Sequence, residues 1–236
     1  MASLECSKVI VSKSYSDATV LLEIDQLGVA SIILNRADKH NSLDNNMVSG
    51  LAESLDDLYG YLDNKQYSVK VLVLKASGKS FCAGADLKHM QAMVNYSYDE
   101  NYNDAMELAD VLSRLANFPC PTIALVNGSA FGGGVGLICC TDFAYAVKEA
   151  EFCLSEVKLG LIPAVISPYI VNTCGLKKAK RIILSAHKLN SATALDYDIL
   201  TDIVDSQAEL INRANQLIID LLNNGPNAMI EAKKLV

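Results

Sequence analysis

The sequence predicts an α/β domain, a mixed sheet with intervening helices followed by a helical C-terminal part. Three observations predict it. Short apolar runs recur as far as Val147, segments with apolar residues at helical spacing separate them, and the pattern beyond Lys177 is helical. No repeat or linker interrupts the 236 residues, a length suited to one large domain. Residues 1–190 read as the core that carries the site, and residues 191–236 as the helical C-terminal part of the same domain.

Each element has its own signal. Thr19 to Ile24 (TVLLEI) and Val29 to Leu34 (VASIIL) are apolar runs separated by the turn-like Gln26-Leu27-Gly28, which predicts an antiparallel pair. Asn41-Ser42-Leu43-Asp44 offers capping residues to a helix with Met47, Leu51, Leu55 and Leu58 on one face. Val69 to Leu74 reads as a buried strand closed by Ser77-Gly78-Lys79. Asp104 to Leu115 is helical, with Met106, Leu108, Ala109, Leu112 and Leu115 as its apolar face. Pro119 to Val126 returns as a strand. A Gly-rich corner, Asn127 to Gly136, then opens an apolar helix, and Phe143 to Val147 is a short strand. Helices follow at Lys177 to Leu184, Ser191 to Leu195 and Gln207 to Asn223.

Composition excludes several classes. Hydrophobic residues make up 51% of the chain and charged residues 20%, which rules out a disordered protein. Twenty Lys+Arg against 27 Asp+Glu leave a net charge of −7, the wrong sign for a general nucleic-acid binder. That balance still permits one local basic spot for a phosphorylated small molecule. The seven cysteines (Cys6, Cys82, Cys120, Cys139, Cys140, Cys153, Cys174) contain no CxxC pair and sit mostly in apolar runs, which reads as free buried thiols in a reducing compartment. No apolar stretch approaches the roughly 18 residues of a membrane span, and MASLECSKVIVSKSYSD lacks the apolar region of a signal peptide. The expectation is a cytoplasmic protein with neither nucleic acid nor membrane as partner. No dinucleotide fingerprint and no metal-ligand spacing is present, so neither a metal nor a separate cofactor is expected.

Three segments carry candidate chemistry. In GKSFCAGADLKHM (78–90), small residues at Ala83-Gly84-Ala85-Asp86 either make a tight turn or let a ligand reach the backbone. In NGSAFGGGVGLICCTD (127–142), Gly132 to Gly134 open a helix whose bare N–H groups suit an anion; a close helix–sheet contact is the alternative. In LSEVKLGLIP (154–163), Glu156 is the one acid among apolar neighbours. It is either a general acid/base with a raised pKa or a surface glutamate at a strand end. His89 and His187 read as satisfied or surface histidines, and Asp142 as a structural cap or turn acid.

In order and spacing these segments resemble the enoyl-CoA hydratase/isomerase, or crotonase, family. The resemblance runs through NRADKHNSLD at 35–44, SFCAGADLKHM at 80–90, FPCPTIALVNGSAFGGGVGL at 118–137 and SEVKLGLIP at 155–163. Within the family, SEVKLGLIPAVISPYI together with GGGVGL most resembles methylglutaconyl-CoA hydratases and related branched-chain enoyl-CoA hydratases. It implies a crotonase-like spiral of ββα units and an acyl-CoA thioester as substrate, with coenzyme A belonging to the substrate and not a cofactor. It also implies a homotrimer or hexamer working in fatty-acid metabolism or leucine degradation. The thioester carbonyl would lie between the backbone N–H groups of Ala85 and Gly133, an oxyanion hole that stabilises the enolate. Glu156 would be the acid/base. Ala83, Asp86, Leu87 and Gly132 would line the substrate, and Lys39, His40 and Lys88 would stand near the nucleotide part of CoA.

Two departures accompany the resemblance. Family hydratases carry a second glutamate, which falls here at Gly136. The sequence also ends at Ala232-Lys233-Lys234-Leu235-Val236, where relatives continue into a further helical segment that helps close the site. The expected activity is hydration of an α,β-unsaturated enoyl-CoA, of methylglutaconyl type in one version. A Δ3-Δ2 enoyl-CoA isomerase is the runner-up, a decarboxylase the third reading and a non-catalytic acyl-CoA-binding protein the alternative from another class. Gly133→Val is expected to abolish turnover, Gly136→Ala to be milder, and Gly136→Glu to restore a two-acid site.

Overall fold

The sheet begins at a turn fixed by one carboxylate. Oδ1 of Asp25 accepts the N–H groups of Leu27 and Val29, each at 2.9 Å. Gly28 turns there with φ of +90°, and a Cβ on it would lie 2.1 Å from the Ser68 carbonyl oxygen, so no side chain fits. The turn folds β2 (Val20–Asp25) antiparallel onto β3 (Val29–Leu34), with Val20 opposite Leu34. In the computed structural model, which describes residues 7–64 and 67–236, β1 (Val9–Tyr15) adds an antiparallel edge strand beside β2. Cys6 lies outside the described residues.

From β3 onward the sheet is parallel. Its order is β1-β2-β3-β4-β5-β7-β10, with β4 (Val71–Ala76), β5 (Thr122–Val126), β7 (Phe143–Val147) and β10 (Asp202–Val204). Val71 to Leu74 are all buried, as expected of a strand covered on both faces. A second sheet of three short strands joins β6 (Ala130–Phe131), β8 (Glu151–Cys153) and β9 (Leu189–Asn190). Helices cover the sheets: α1 (Asn45–Asn64), α2 (Leu87–Met93), α3 (Tyr98–Ala116), α4 (Gly133–Cys139), α5 (Ser167–Ser185), α6 (Ser191–Asp196), α7 (Gln207–Asn223) and α8 (Pro226–Lys233). The core runs continuously between sheet and helices, with Phe81, Phe118 and Phe152 fully buried.

Most of the expected elements are present, with several corrections. The central strand starts at Val71 and not Val69, because Lys70 N–H is already engaged with the Gly28 carbonyl at the lead-in. Helix α3 starts at Tyr98 and not Asp104, held by a capping box of Ser97 and Glu100. Of the four proposed capping residues only Asp44 caps α1, accepting from Met47 N–H at 3.0 Å; buried Asn41 instead binds the Arg36 N–H and the Ser77 and Ser80 carbonyls. The helix expected at 177–184 is the second half of α5, which breaks at Gly175 (φ +74°). The C-terminal part is not purely helical, since β10 pairs with β7 and extends the main sheet. Cys82, Cys120, Cys139, Cys140, Cys153 and Cys174 are free. Burial pushes the Cys82 and Cys139 thiols up to about 12, so they stay neutral and unreactive.

Asp142 is the structural acid it was expected to be. Its carboxylate accepts the N–H (2.8 Å) and hydroxyl (3.0 Å) of fully buried Thr122 and pairs with Lys233 of α8 at 2.6 Å. Asp142→Ala leaves the Thr122 donors without a partner and releases α8. It should lower stability by about 1–3 kcal/mol, read as a lower urea midpoint.

Candidate active site

Two loops meet backbone to backbone at the carboxyl end of the parallel strands. Residues 80–86 after β4 run beside the corner 129–134, with Phe81 N–H donating to Ser129 O and Phe131 N–H donating to Cys82 O (3.1 and 2.9 Å). Gly84 (φ +82°) is what permits the contact, because a Cβ there would meet the Phe131 carbonyl oxygen at 2.9 Å. Just beyond this contact stand Ala85, one residue past Gly84, and Gly133, two past Phe131. Among the described residues, neither N–H has a hydrogen-bond acceptor within the protein, and both residues line the same cavity.

The first loop is held by an ionic knot. Arg36 donates to Asp86 Oδ2 and to the Ser42 hydroxyl, each at 2.9 Å, and its other terminal nitrogen pairs with Asp44 at 2.9 Å. Asp86 Oδ1 in turn caps α2 through the N–H groups of Lys88 (2.8 Å) and His89 (3.2 Å). Burial alone would raise the Asp86 carboxyl, but Arg36, these two N–H groups and Ser42 outweigh it and hold the group at about 2. Asp86 thus acts inside the scaffold and is not among the residues that face the cavity.

The cavity has a volume of about 380 Å³. Leu43, Val48, Met90, Met93, Leu108 and residues 161–166 give it an apolar wall. Glu156 opens a 3₁₀ turn (Glu156–Leu159) on the opposite side from α2 and projects its carboxyl over Gly132: Oε1 stands 3.0 Å from the place a Gly132 Cβ would take. Its Oε2 is buried with no hydrogen-bond partner among the described residues. Burial pushes the Glu156 carboxyl above its ordinary value, with its own backbone N–H opposing weakly. A desolvated carboxyl that lines the same cavity as two residues with free N–H groups is suited to moving a proton beside a developing oxyanion.

The structure brings Glu156, Ala83, Ala85, Leu87, Gly132 and Gly133 together around this cavity. It does not bring Lys39, His40 or Lys88 into it; all three are exposed. Lys39 and His40 stand at the rim, where the His40 carbonyl accepts the Ala83 N–H at 2.9 Å, and His40 Nδ1 lies 3.0 Å from the Ser80 hydroxyl. His187 is a surface residue. His89 is not: it lines the cavity with Asp104, their Nε2 and Oδ1 2.8 Å apart. Sequence spacing gave no sign of that pair, because it joins two helices.

These features match known proteins. The profile of the enoyl-CoA hydratase/isomerase family matches residues 25–236. An enoyl-CoA hydratase of Alternaria alternata is 35% identical over 90% of this chain and 67% of its own. Human mitochondrial methylglutaconyl-CoA hydratase is 31% identical over 90% of this chain and 62% of its own. The crystal structure of an enoyl-CoA hydratase from Shewanella pealeana superposes with a TM-score of 0.86 at 43% identity, covering 92% of this chain and 78% of that one. The chain belongs to the enoyl-CoA hydratase/isomerase family, and its fold is the crotonase fold.

Gly136 is packed closely against the cavity wall. A Cβ there would stand 2.4 Å from Cγ2 and 2.9 Å from Cβ of Ile166, a stiff β-branched side chain that lines the cavity. At Gly133 the nearest atom, at 2.5 Å, is the movable tip of Leu43. A side chain at 136 therefore strains the packing against Ile166, and a glutamate there would have to displace that residue. Gly136→Ala should cost about 1–3 kcal/mol of stability and Gly133→Ala clearly less. Chemical denaturation of the two variants side by side checks that order.

Proposed function

We propose that the protein is an enoyl-CoA hydratase, a hydro-lyase adding water across the Cα=Cβ bond of an α,β-unsaturated acyl-CoA thioester. The observation that carries this reading is the unpartnered Glu156 carboxyl sharing one cavity with the two free N–H groups of Ala85 and Gly133. The thioester oxygen would sit between those donors, each contributing on the order of 3 kcal/mol as enolate charge develops. Glu156 would exchange its proton with Cα. Coenzyme A arrives with the substrate, and the chemistry calls on no metal or nicotinamide; acetyl-CoA should therefore still bind in EDTA by titration calorimetry. Lys39, His40 and Lys88 would meet the nucleotide end outside the cavity. A homotrimer or hexamer is proposed as the working form, with exposed Leu161, Ile162 and Leu184 as apolar surface available for burial.

Among acyl groups, the lining favours an apolar chain. Among the described residues no lysine or arginine faces the cavity, whereas Asp44, Asp104, Glu107 and Glu156 do. A methylglutaconyl-type group would bring a free carboxylate into that acidic surround. It is the second reading, supported by the identity to the human methylglutaconyl-CoA hydratase. Isomerisation is the competing reaction, since one glutamate suffices to move a proton between two carbons.

Crotonyl-CoA and 3-methylglutaconyl-CoA should each be tested for loss of the conjugated thioester absorbance. A mass gain of one water identifies hydration, and turnover without mass gain identifies isomerisation. Binding with no turnover of any enoyl-CoA would make the protein an acyl-CoA binder instead. Glu156→Gln should lower kcat by about 10²–10⁴-fold and leave CoA affinity nearly unchanged.

The same variant should change the dependence of stability on pH. A carboxyl raised by burial holds its proton more tightly in the folded state than in the unfolded one. Stability is therefore lost as pH rises through the folded pKa. Glu156→Gln should be more stable than wild type at neutral pH, with the difference vanishing below about pH 4. Urea midpoints measured across that range check the sign.

A further inference from the structure

The cavity that holds Glu156 is lined by four other titratable side chains: Asp44, His89, Asp104 and Glu107. Asp44 is engaged with Arg36 and with the start of α1. Glu107 is an exposed residue of the rim. Asp104 is paired with His89 at 2.8 Å, and the two side chains are only 22% and 14% exposed. What remains is the imidazole. Its Nε2 is held by Asp104, its ring meets Tyr96 edge to face at 6.3 Å between centroids, and its Nδ1 has no protein partner among the described residues. His89 also sits one helical turn after the oxyanion donor Ala85, its N–H on the same Asp86 carboxylate that caps α2.

We propose that His89, oriented by Asp104, is the second proton-handling group of the site and activates the attacking water, the task for which no carboxylate is present at Gly136. This rests on the hydratase reading above. The Asp104 carboxylate fixes the proton on Nε2, leaves Nδ1 as a base, and stabilises the imidazolium that forms. The C–O bond forms between the water oxygen and Cβ as one water proton passes to Nδ1. The π electrons of Cα=Cβ move to the thioester oxygen at Ala85 and Gly133. The Cα–H bond then forms with the Glu156 proton as the enolate collapses. Transfer of the imidazolium proton to the Glu156 carboxylate through solvent restores both groups, and one water has been added. His89 is a catalytic residue in this scheme and Asp104 a positioning residue.

A purely structural pin between α2 and α3 is the competing role, and two reactions separate them. Hydration needs a base for water, whereas exchange of the α-protons of butyryl-CoA in D2O needs only Glu156 and the two N–H donors. His89→Gln keeps an N–H for Asp104 but cannot accept a proton. Its kcat for crotonyl-CoA hydration should fall about 10²–10⁴-fold with KM little changed, while α-proton exchange stays within a few-fold of wild type. Added imidazole should restore part of the hydration in His89→Gly. Near-normal hydration by His89→Gln, or hydration and exchange falling together, would overturn the proposal. A wild-type protein that hydrates no enoyl-CoA would instead overturn the reaction on which it rests.

Discussion

The constraint on which the rest of this site depends is the absence of side chains along one backbone seam. The loop after β4 and the corner before α4 approach so closely that a Cβ at Gly134 would stand 2.7 Å from the Cys82 carbonyl oxygen, and one at Gly128 would stand 2.0 Å from that of Lys79. Gly84 closes the same seam from the other side. Hydrogen bonds between the two segments then fix their register, and that register sets the spacing of the two N–H groups that remain free. An oxyanion hole made of backbone is rigid because the fold itself holds it, and a preorganised donor costs no reorganisation when charge appears. The glycines therefore serve packing and chemistry through one requirement.

The same small region treats two carboxyls in opposite ways. Asp86 is surrounded by Arg36, Ser42 and two N–H groups and stays ionised over the whole working range. Glu156 is offered burial and no side-chain partner, so its proton is held more tightly. Both are desolvated; the difference lies in hydrogen-bond donors. The donors around Asp86 hold it at one charge, whereas Glu156 is left able to gain or lose its proton. Leaving Glu156 without a partner lowers stability at neutral pH, a cost that sites of this kind commonly carry for reactivity.

The legible parts of the fold were those with local chemistry. Strand β7 and helix α7 lie where the apolar pattern put them, and the β2–β3 hairpin follows from its turn. The unread parts have physical reasons. Strand β1 is an edge strand with mostly exposed residues, and β10 is three residues long, so neither offers a strong alternation. The continuous burial of β4 removes the period that would mark its ends. The capping box at Ser97 and Glu100 was in the sequence and would have found the true start of α3. That Ala85, Gly133 and Glu156 come to line one cavity was readable because each lies in a contiguous motif whose residue types are dictated by sterics or desolvation. His89 and Asp104 meet only because α2 and α3 pack together, and no linear spacing encodes that.

Gly136 shows why a missing acid is more than a substitution. Its α-carbon is packed against Ile166, so the wall of the cavity has moved into the space that another side chain would need. Restoring a carboxylate there would require the segment 161–166 to retreat as well, and that segment supplies much of the apolar lining on the Glu156 side. The polar groups that α2 and α3 bring to the cavity are His89, Asp104 and Glu107. Helix α2 is anchored by the carboxylate of Asp86, whose own N–H is held by the Leu43 carbonyl at 2.9 Å and whose neighbour in sequence is the donor Ala85. Ala85, the start of α2 and His89 are thus positioned by one acid and by Arg36 behind it. A change at Arg36 would displace all three at once, which makes that half-buried guanidinium the point through which the geometry of this wall is set.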